Sequence, residues 1–254
     1  MPKVMIWALE SDYDASTVKC LAQKLVTHYQ LDASVHAVGK SAIPRRNNID
    51  TIRKAVKNYL AEYTCVIFVI DHDGPMSSHQ RLQEPNSLVN QVKRILEDKE
   101  LAGYVYQAKA ICEIESWLLI DCVGIFHYFA MACRRKEIDR KKIESKKEFR
   151  RLTDKYQKGD TEMIVEAEMG SKGAKEYLEK FSKDVILAIN PNMPDKNVEQ
   201  QKYREKLSPE IAFYIEVNDQ TLRRNASFAW LGKLLCQCNN RQSKSTHTYS
   251  DSIE

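Results

Sequence analysis

Glycine and proline are scarce in this sequence, with only 8 and 7 among 254 residues. That scarcity excludes collagen-like and low-complexity chains and favours helices. The charge is nearly balanced, since 39 basic residues face 35 acidic ones, and the net charge of +4 neither indicates nor excludes nucleic-acid binding. Long uninterrupted hydrophobic runs are also missing. The longest apolar stretch, 114–133, contains Glu115, Asp121 and His127, so it predicts a buried helix rather than a membrane span.

The seven cysteines show no spacing that predicts a disulfide framework. Cys65 and Cys112 lie in or beside apolar runs, where a free cysteine packs as a small hydrophobic residue. The amino-terminal residues reach an acid at Glu10, which is unlike a secretion signal. We therefore expect a cytoplasmic protein with reduced thiols.

Apolar runs and helical repeats alternate along the first half of the chain. The clearest strand is 65–70, because six consecutive apolar residues need cover on both faces, as in a parallel sheet. The alternation predicts a doubly wound α/β fold with a mostly parallel sheet and a helical C-terminal region. The predicted strands are 3–9, 33–38, 65–70 and 103–111, and the predicted helices begin after Glu10 and span 48–63, 88–101 and 113–133.

The second half of the chain carries a basic run, 134–151, with ten basic and four acidic residues. It is either a solvated helical face or a surface that faces nucleic acid. The predicted organisation is an α/β domain over 1–133, a helical region over 134–238 and a disordered tail, rich in Ser and Thr, over 239–254. All three tryptophans are predicted core residues: Trp7, Trp117 and Trp230.

Acidic residues cluster at or just after the carboxyl ends of three predicted strands. They are Glu10 and Asp14 after the first strand, Asp71 and Asp73 after the third, and Glu113 and Glu115 after the fourth. Ligands bind at the carboxyl edge of parallel α/β sheets. Carboxylate oxygens are ligands that Mg²⁺ prefers. The sequence therefore predicts a Mg²⁺ site at this edge.

Each acidic pair also has an ordinary structural interpretation. Asp71 and Asp73 suit a turn, and Asp14 suits a helix cap. Glu113 and Glu115 suit the first turn of a helix, where the dipole favours negative charge. Their coincidence at three strand ends favours the metal site.

The order of these motifs resembles the Toprim fold of topoisomerases, primases and nucleases, and more closely its overcoming-lysogenization-defect nuclease branch. Glu10 and Asp14 match the first acidic motif of that branch, Asp71 and Asp73 match its Asp-x-Asp, and Glu113 and Glu115 match its third motif. The segments AICEIESWLLID, 110–121, and 208–235 are similar to segments of small stand-alone bacterial Toprim-like proteins.

The resemblance implies that 1–133 is a Toprim-like catalytic domain and that the protein is a nuclease using Mg²⁺, or Mn²⁺, in a two-metal mechanism. Glu10, Asp71 and Asp73 would then be catalytic, and all six acids would be metal ligands. The resemblance also implies an ABC-type ATPase partner and a role in anti-phage defence. The nucleic-acid substrate would be DNA or RNA, tRNA included.

Two positions depart from the family pattern. Ser11 stands where this group often has glycine, and Asp14 stands in place of a glutamate. The basic residue that such nucleases hold near the scissile phosphate is unassigned, with Lys109, Lys172 and Arg223 as candidates.

Two other function classes stay open. One is a catalytically silent Toprim-like subunit that only binds a partner or nucleic acid. A homodimer is possible for the nuclease and for the silent subunit. The other is a receiver-like signalling domain. It fits poorly, because a receiver carries a lone phospho-acceptor aspartate after its third strand and this sequence has an Asp-x-Asp there.

Overall fold

The computed structural model describes residues 1–44, 48–72, 83–134, 139–157, 159–164 and 173–245. The chain forms two compact units. The first unit comprises Met1–Ile70, Pro75–Lys109 and Ser227–Glu254, and the second unit comprises Asp71–Gly74 and Ala110–Ala226. The predicted boundary near residue 133 lies within the second unit.

A four-stranded parallel sheet organises the first unit, so the predicted α/β class is confirmed. Its order is β2-β1-β3-β4, which places the first strand between the second and the third. The last residues of β3 and β4 are counted with the second unit. The strands are β1 (Lys3–Ala8), β2 (Ser34–Val38), β3 (Cys65–His72) and β4 (Val105–Ile111).

The helices of the first unit are α1 (Asp12–His28), α2 (Ile49–Leu60), α3 (Leu88–Leu96) and, at the end of the chain, α12 (Ala226–Ser245). A single turn of 3₁₀ helix, Lys40–Ala42, follows β2. The start of α2 is fixed by a capping box, in which the Asn48 side chain accepts from the Thr51 amide and Thr51 Oγ1 accepts from the Asn48 amide.

Apolar side chains from β1 and β3 form the core of the first unit. The six residues of β3 from Cys65 to Ile70 are all buried, as their uninterrupted apolar run predicts. Trp7 stacks on Phe68 with ring centroids 5.5 Å apart and meets the Tyr59 ring edge-on. Ile52 of α2 and Val92 of α3 pack into the same cluster.

The last helix continues beyond its predicted end near Gln237 to Ser245, so residues 239–245 are helical. Cys238 is buried and Arg241 lies over the Tyr104 ring at 4.0 Å, which gives this stretch tertiary contacts. The tail prediction for 246–254 falls outside the described residues. The prediction that Trp230 is a core residue is wrong, because this side chain is 44% exposed. Trp7 and Trp117 are fully buried as predicted.

The second unit consists almost entirely of helices. They are α4 (Glu115–Leu118), α5 (Cys122–Arg134), α6 (Arg140–Glu144), α7 (Lys147–Tyr156), α8 (Ala174–Ile189), α9 (Asp195–Gln201), α10 (Ser208–Tyr214) and α11 (Asp219–Leu222). Turns of 3₁₀ helix lie at Thr161–Met163 and Glu205–Leu207. The apolar helix α5 is central, since it packs against α6, α7, α8 and α10.

The single helix predicted over 113–133 is wrong, because the chain breaks between α4 and α5. Asp121 causes the break by capping the second segment, since its Oδ1 accepts from the Gly124 amide at 3.0 Å. Arg140 then donates to both Asp121 oxygens at 2.8 Å. Burial of Asp121, which is 3% exposed, is therefore offset by a paired and hydrogen-bonded cation.

Within the described residues, we find no helix with the length and apolar content that crossing a membrane requires.

Candidate functional site: an acidic cluster in the second unit

Asp71 and the fourth-strand acids belong to the second unit. Asp71 is half-buried near the end of β3. The neighbouring residue, His72, accepts a backbone hydrogen bond from the Cys112 amide at 3.2 Å. Strand pairing therefore continues to the point where Glu113 leaves β4.

A strained backbone turn presents Glu113. Cys112 and Glu113 both adopt left-handed conformations, with φ of 57° and 67°, although neither is glycine. Each costs about 1 kcal/mol relative to a right-handed residue. Ser116 holds the turn by donating to the Ile111 and Glu113 carbonyls, at 2.7 and 2.9 Å. Non-glycine residues kept in this region often mark functional sites.

The Glu113 carboxylate lies at the amino end of α8. Its Oε2 accepts from the Lys175 backbone amide at 3.2 Å. Gly173, the residue before this 16-residue helix, has no side chain with which to cap it. Glu113 therefore does so from another part of the chain, and the helix dipole favours its negative charge.

Glu115 is buried, with 7% of its surface exposed. Among the predicted site residues that the structure describes, only Asp14 is more buried. Its Oε1 accepts from the Tyr203 hydroxyl at 2.8 Å, and Tyr203 shares a 2.6 Å bond with Ser208. Burial, and next the negative charge of Glu113, raise the pKa of Glu115 to about 7. The Tyr203 bond and the nearby Lys175 charge act in the opposite direction.

Lys175 is the cation of this cluster, and the sequence reasoning missed it. Its Nζ lies 3.7 Å from Glu205 Oε2. Burial alone would lower the pKa of Lys175, but the charges of Glu115, Glu205 and Glu113 outweigh burial and raise it. The only signal in the sequence was its position just after Gly173, at a helix start.

The sequence offered Lys109, Lys172 and Arg223 as the basic residue of the site. Lys109 and Arg223 are exposed, and Lys172 falls outside the described residues. Arg224, the neighbour of Arg223, donates from its guanidinium to the Ile120 carbonyl, so it has a structural role.

Glu10 and Asp14 belong to the first unit. There Ala8 of β1 pairs with Val69 of β3, and the Leu9 amide donates to the Val69 carbonyl at 3.2 Å, so β1 and β3 end at the same edge of the sheet. Glu10 follows that pair at a half-buried position. Asp14 is 6% exposed on α1.

Ser11 is the N-cap of α1. Its Oγ accepts from the Asp14 amide at 3.0 Å, which is a standard helix cap. Its φ of −148° is extended backbone that any residue adopts, so this position does not need glycine.

The structure thus brings Glu113 and Glu115 together with Lys175 and Tyr203, in the unit that also contains Asp71. Asp73 lies outside the described residues. Among the residues that the structure does describe, no three His, Cys, Asp or Glu side chains are close enough to hold a metal ion.

Comparison with known proteins returned no matching family model, no matching curated protein and no matching solved structure.

Proposed function

We propose that this protein is a metal-dependent nuclease of the Toprim type, which hydrolyses phosphodiester bonds of DNA or RNA. The observation that supports it best is the pair Glu113 and Glu115 at the carboxyl end of β4. One carboxylate stands on a strained turn, and the other is buried beside it with a raised pKa. Such an arrangement destabilises the fold, and perturbed carboxyls of this kind concentrate at functional sites.

The donor atoms suit a hard divalent cation. Among the described residues, Asp71, Glu113 and Glu115 do not lie close enough together to hold a cation, so their side chains would have to move toward a bound one. Their carboxylate oxygens suit Mg²⁺, which keeps several waters and so needs few protein ligands. The family pattern would add Glu10, Asp14 and Asp73 as ligands. When bound, Mg²⁺ or Mn²⁺ would lower the pKa of a coordinated water and offset the charge that develops on the phosphate.

The protein's own groups then have distinct roles. Glu115 carries a proton in part of the molecules near neutral pH, so this carboxyl can release one when a cation arrives. Tyr203 fixes the position of the Glu115 side chain. Lys175 supplies a fixed positive charge beside both glutamates, where it can attract a phosphate oxygen.

Cleavage of plasmid, single-stranded DNA and total RNA in Mg²⁺ or Mn²⁺, against EDTA, tests this function. We expect cleavage that EDTA abolishes, that Asp71→Ala and Glu115→Gln remove, and that Lys175→Met slows. Glu144→Gln, at an exposed position of α6, is the matched control and should cut normally.

Two results would speak against the proposal. Unchanged cleavage by Asp71→Ala and Glu115→Gln would place the chemistry elsewhere. Metal binding without cleavage of any substrate would instead support the catalytically silent subunit.

The ABC-type ATPase partner and the anti-phage role are part of the same proposal, and the motif resemblance alone supports them. Recovery of an ATPase with the tagged protein from its native cells would test the partnership. Phage challenge of cells that carry the wild-type protein or Asp71→Ala would test the role.

A further inference from the structure

A groove on the second unit combines an exposed aromatic ring, Phe213, with an exposed lysine, Lys142. It has a volume of about 640 Å³ and lies between α5, α6 and α10. Phe213 lines it and is 73% exposed, although a ring of this size is normally buried. Tyr214 lies beside Phe213, with ring centroids 5.9 Å apart. The His127 ring meets Tyr214 edge-on at 5.1 Å.

The wall of this groove is held rigidly. Arg140 donates to the Tyr214 carbonyl at 3.2 Å while its guanidinium is bonded to both oxygens of buried Asp121. The Tyr128 ring packs on Tyr214 at 5.6 Å, and its hydroxyl donates to Glu210 at 2.8 Å. The aromatic surface therefore exists before any ligand arrives, which limits the entropy cost of binding.

An anionic ligand would meet Lys142 in this groove, because the other basic residue of the lining, Arg140, is already paired with Asp121 and Glu216. Lys142 lines it and is exposed, and among the described residues no carboxylate forms an ion pair with this lysine. The acid of the groove, Asp139, caps α6 by accepting from the Lys141 amide at 2.9 Å. The described part of the basic run, 139–151, has seven basic residues against three acidic ones.

We propose that this groove binds single-stranded nucleic acid, with an unstacked base on Phe213 and a backbone phosphate at Lys142. Flat rings beside a cation suit a base and its phosphate, and stacking accepts every base. A duplex hides its base faces, so it should bind less well. The choice of nucleic acid as the ligand rests on the proposed nuclease function, and the groove would make single-stranded segments its substrate.

Fluorescence anisotropy with labelled oligothymidylate and oligouridylate, in EDTA, tests this site without any cleavage. We expect single strands to bind more tightly than a duplex of the same length. Phe213→Ala should weaken single-strand binding about tenfold, because a base–aromatic stack is lost. Phe213→Leu should weaken it similarly, since leucine is apolar but cannot stack, and Phe213→Trp should retain binding.

Lys142→Gln should weaken binding and reduce the salt dependence by about 0.7 in the slope of log affinity against log salt. Lys147→Gln, an exposed position on α7 that lines another cavity, is the matched control and should change neither quantity as much. Phe213 and Lys142 are exposed, so these variants should fold normally.

The proposal is overturned if no single strand binds, if a duplex binds as tightly, or if Phe213→Leu binds like the wild type. The last result would show that no base stacks on Phe213 and that the strand binds in another way. The binding assay contains no metal ion, so it reports on the groove independently of cleavage. Binding of single strands by a wild-type protein that cuts nothing would contradict the nuclease function and leave the groove proposal intact. Cleavage without binding at Phe213 would contradict the groove proposal alone.

Discussion

Replacing Glu115 with glutamine should stabilise the folded protein at alkaline pH while removing a proposed metal ligand. In the wild type, deprotonation places a charge in a buried site beside Glu113. Glutamine has the same shape, carries no charge, and its Oε1 can still accept from the Tyr203 hydroxyl. The variant should therefore avoid the cost of burying that charge.

The magnitude follows from the pKa of Glu115, which burial and the Glu113 charge raise from 4.5 to about 7. Because the pKa of Glu115 is higher in the folded protein than in the unfolded chain, this carboxyl's contribution to the free energy of unfolding is fully present below about pH 4.5. That contribution is lost as the pH rises through about 7. At about 1.4 kcal/mol per tenfold change in affinity for the proton, the loss is about 3 kcal/mol.

Urea unfolding of metal-free protein at about pH 5 and about pH 8 measures this effect. The wild type should lose about 2.5 kcal/mol more than Glu115→Gln between the two pH values, because a small part of the loss has already occurred at pH 5. The exposed variant Glu144→Gln should behave like the wild type. If Glu115→Gln and the wild type respond equally to pH, Glu115 has no raised pKa and the reasoning fails.

Three further variants test tertiary contacts within the two units, each by urea unfolding. Tyr203→Phe should cost about 2 kcal/mol, because it removes the hydroxyl that donates to buried Glu115. Asp121→Asn should cost about 3 kcal/mol, since it removes the buried charged partner of the Arg140 guanidinium and leaves only the exposed Glu216 carboxylate. Gly39→Ala should cost about 2 kcal/mol, because its new methyl group would lie 2.6 Å from the Cα of Asp12.

Exposed or open positions supply the matched controls. Tyr13→Phe and Asp154→Asn change the same chemical groups at exposed positions. Gly159→Ala adds a methyl group with no atom within 4 Å. Each control should change the free energy of unfolding by less than about 0.5 kcal/mol. A test variant that resembles its control would contradict the contact assigned to it.

The sheet could be predicted from the sequence because its information is local. The apolar run from Cys65 to Ile70 predicted a strand covered on both faces, and the structure confirms it. The break between α4 and α5 was not predictable in the same way. It depends on Asp121, whose partners Arg140 and Glu216 come from distant parts of the chain.

The residues of the candidate site also differ in whether local sequence could predict them. Asp71, Glu113 and Glu115 were found because each follows a recognisable strand. Lys175 and Tyr203 were missed because they reach the site only through the packing of the second unit, 60 and 88 residues beyond Glu115 in sequence. No local pattern links residues so far apart.

Calorimetric titration of the metal-free protein with Mn²⁺, in two buffers of different ionisation enthalpy near neutral pH, tests the central claim most directly. The account predicts saturable binding that releases a fraction of a proton, because Glu115 is partly protonated before the cation binds. Asp71→Ala and Glu115→Gln should both weaken binding, and Glu115→Gln should remove the proton release. Equal binding and equal proton release in the wild type and Glu115→Gln would contradict a metal site at these carboxylates.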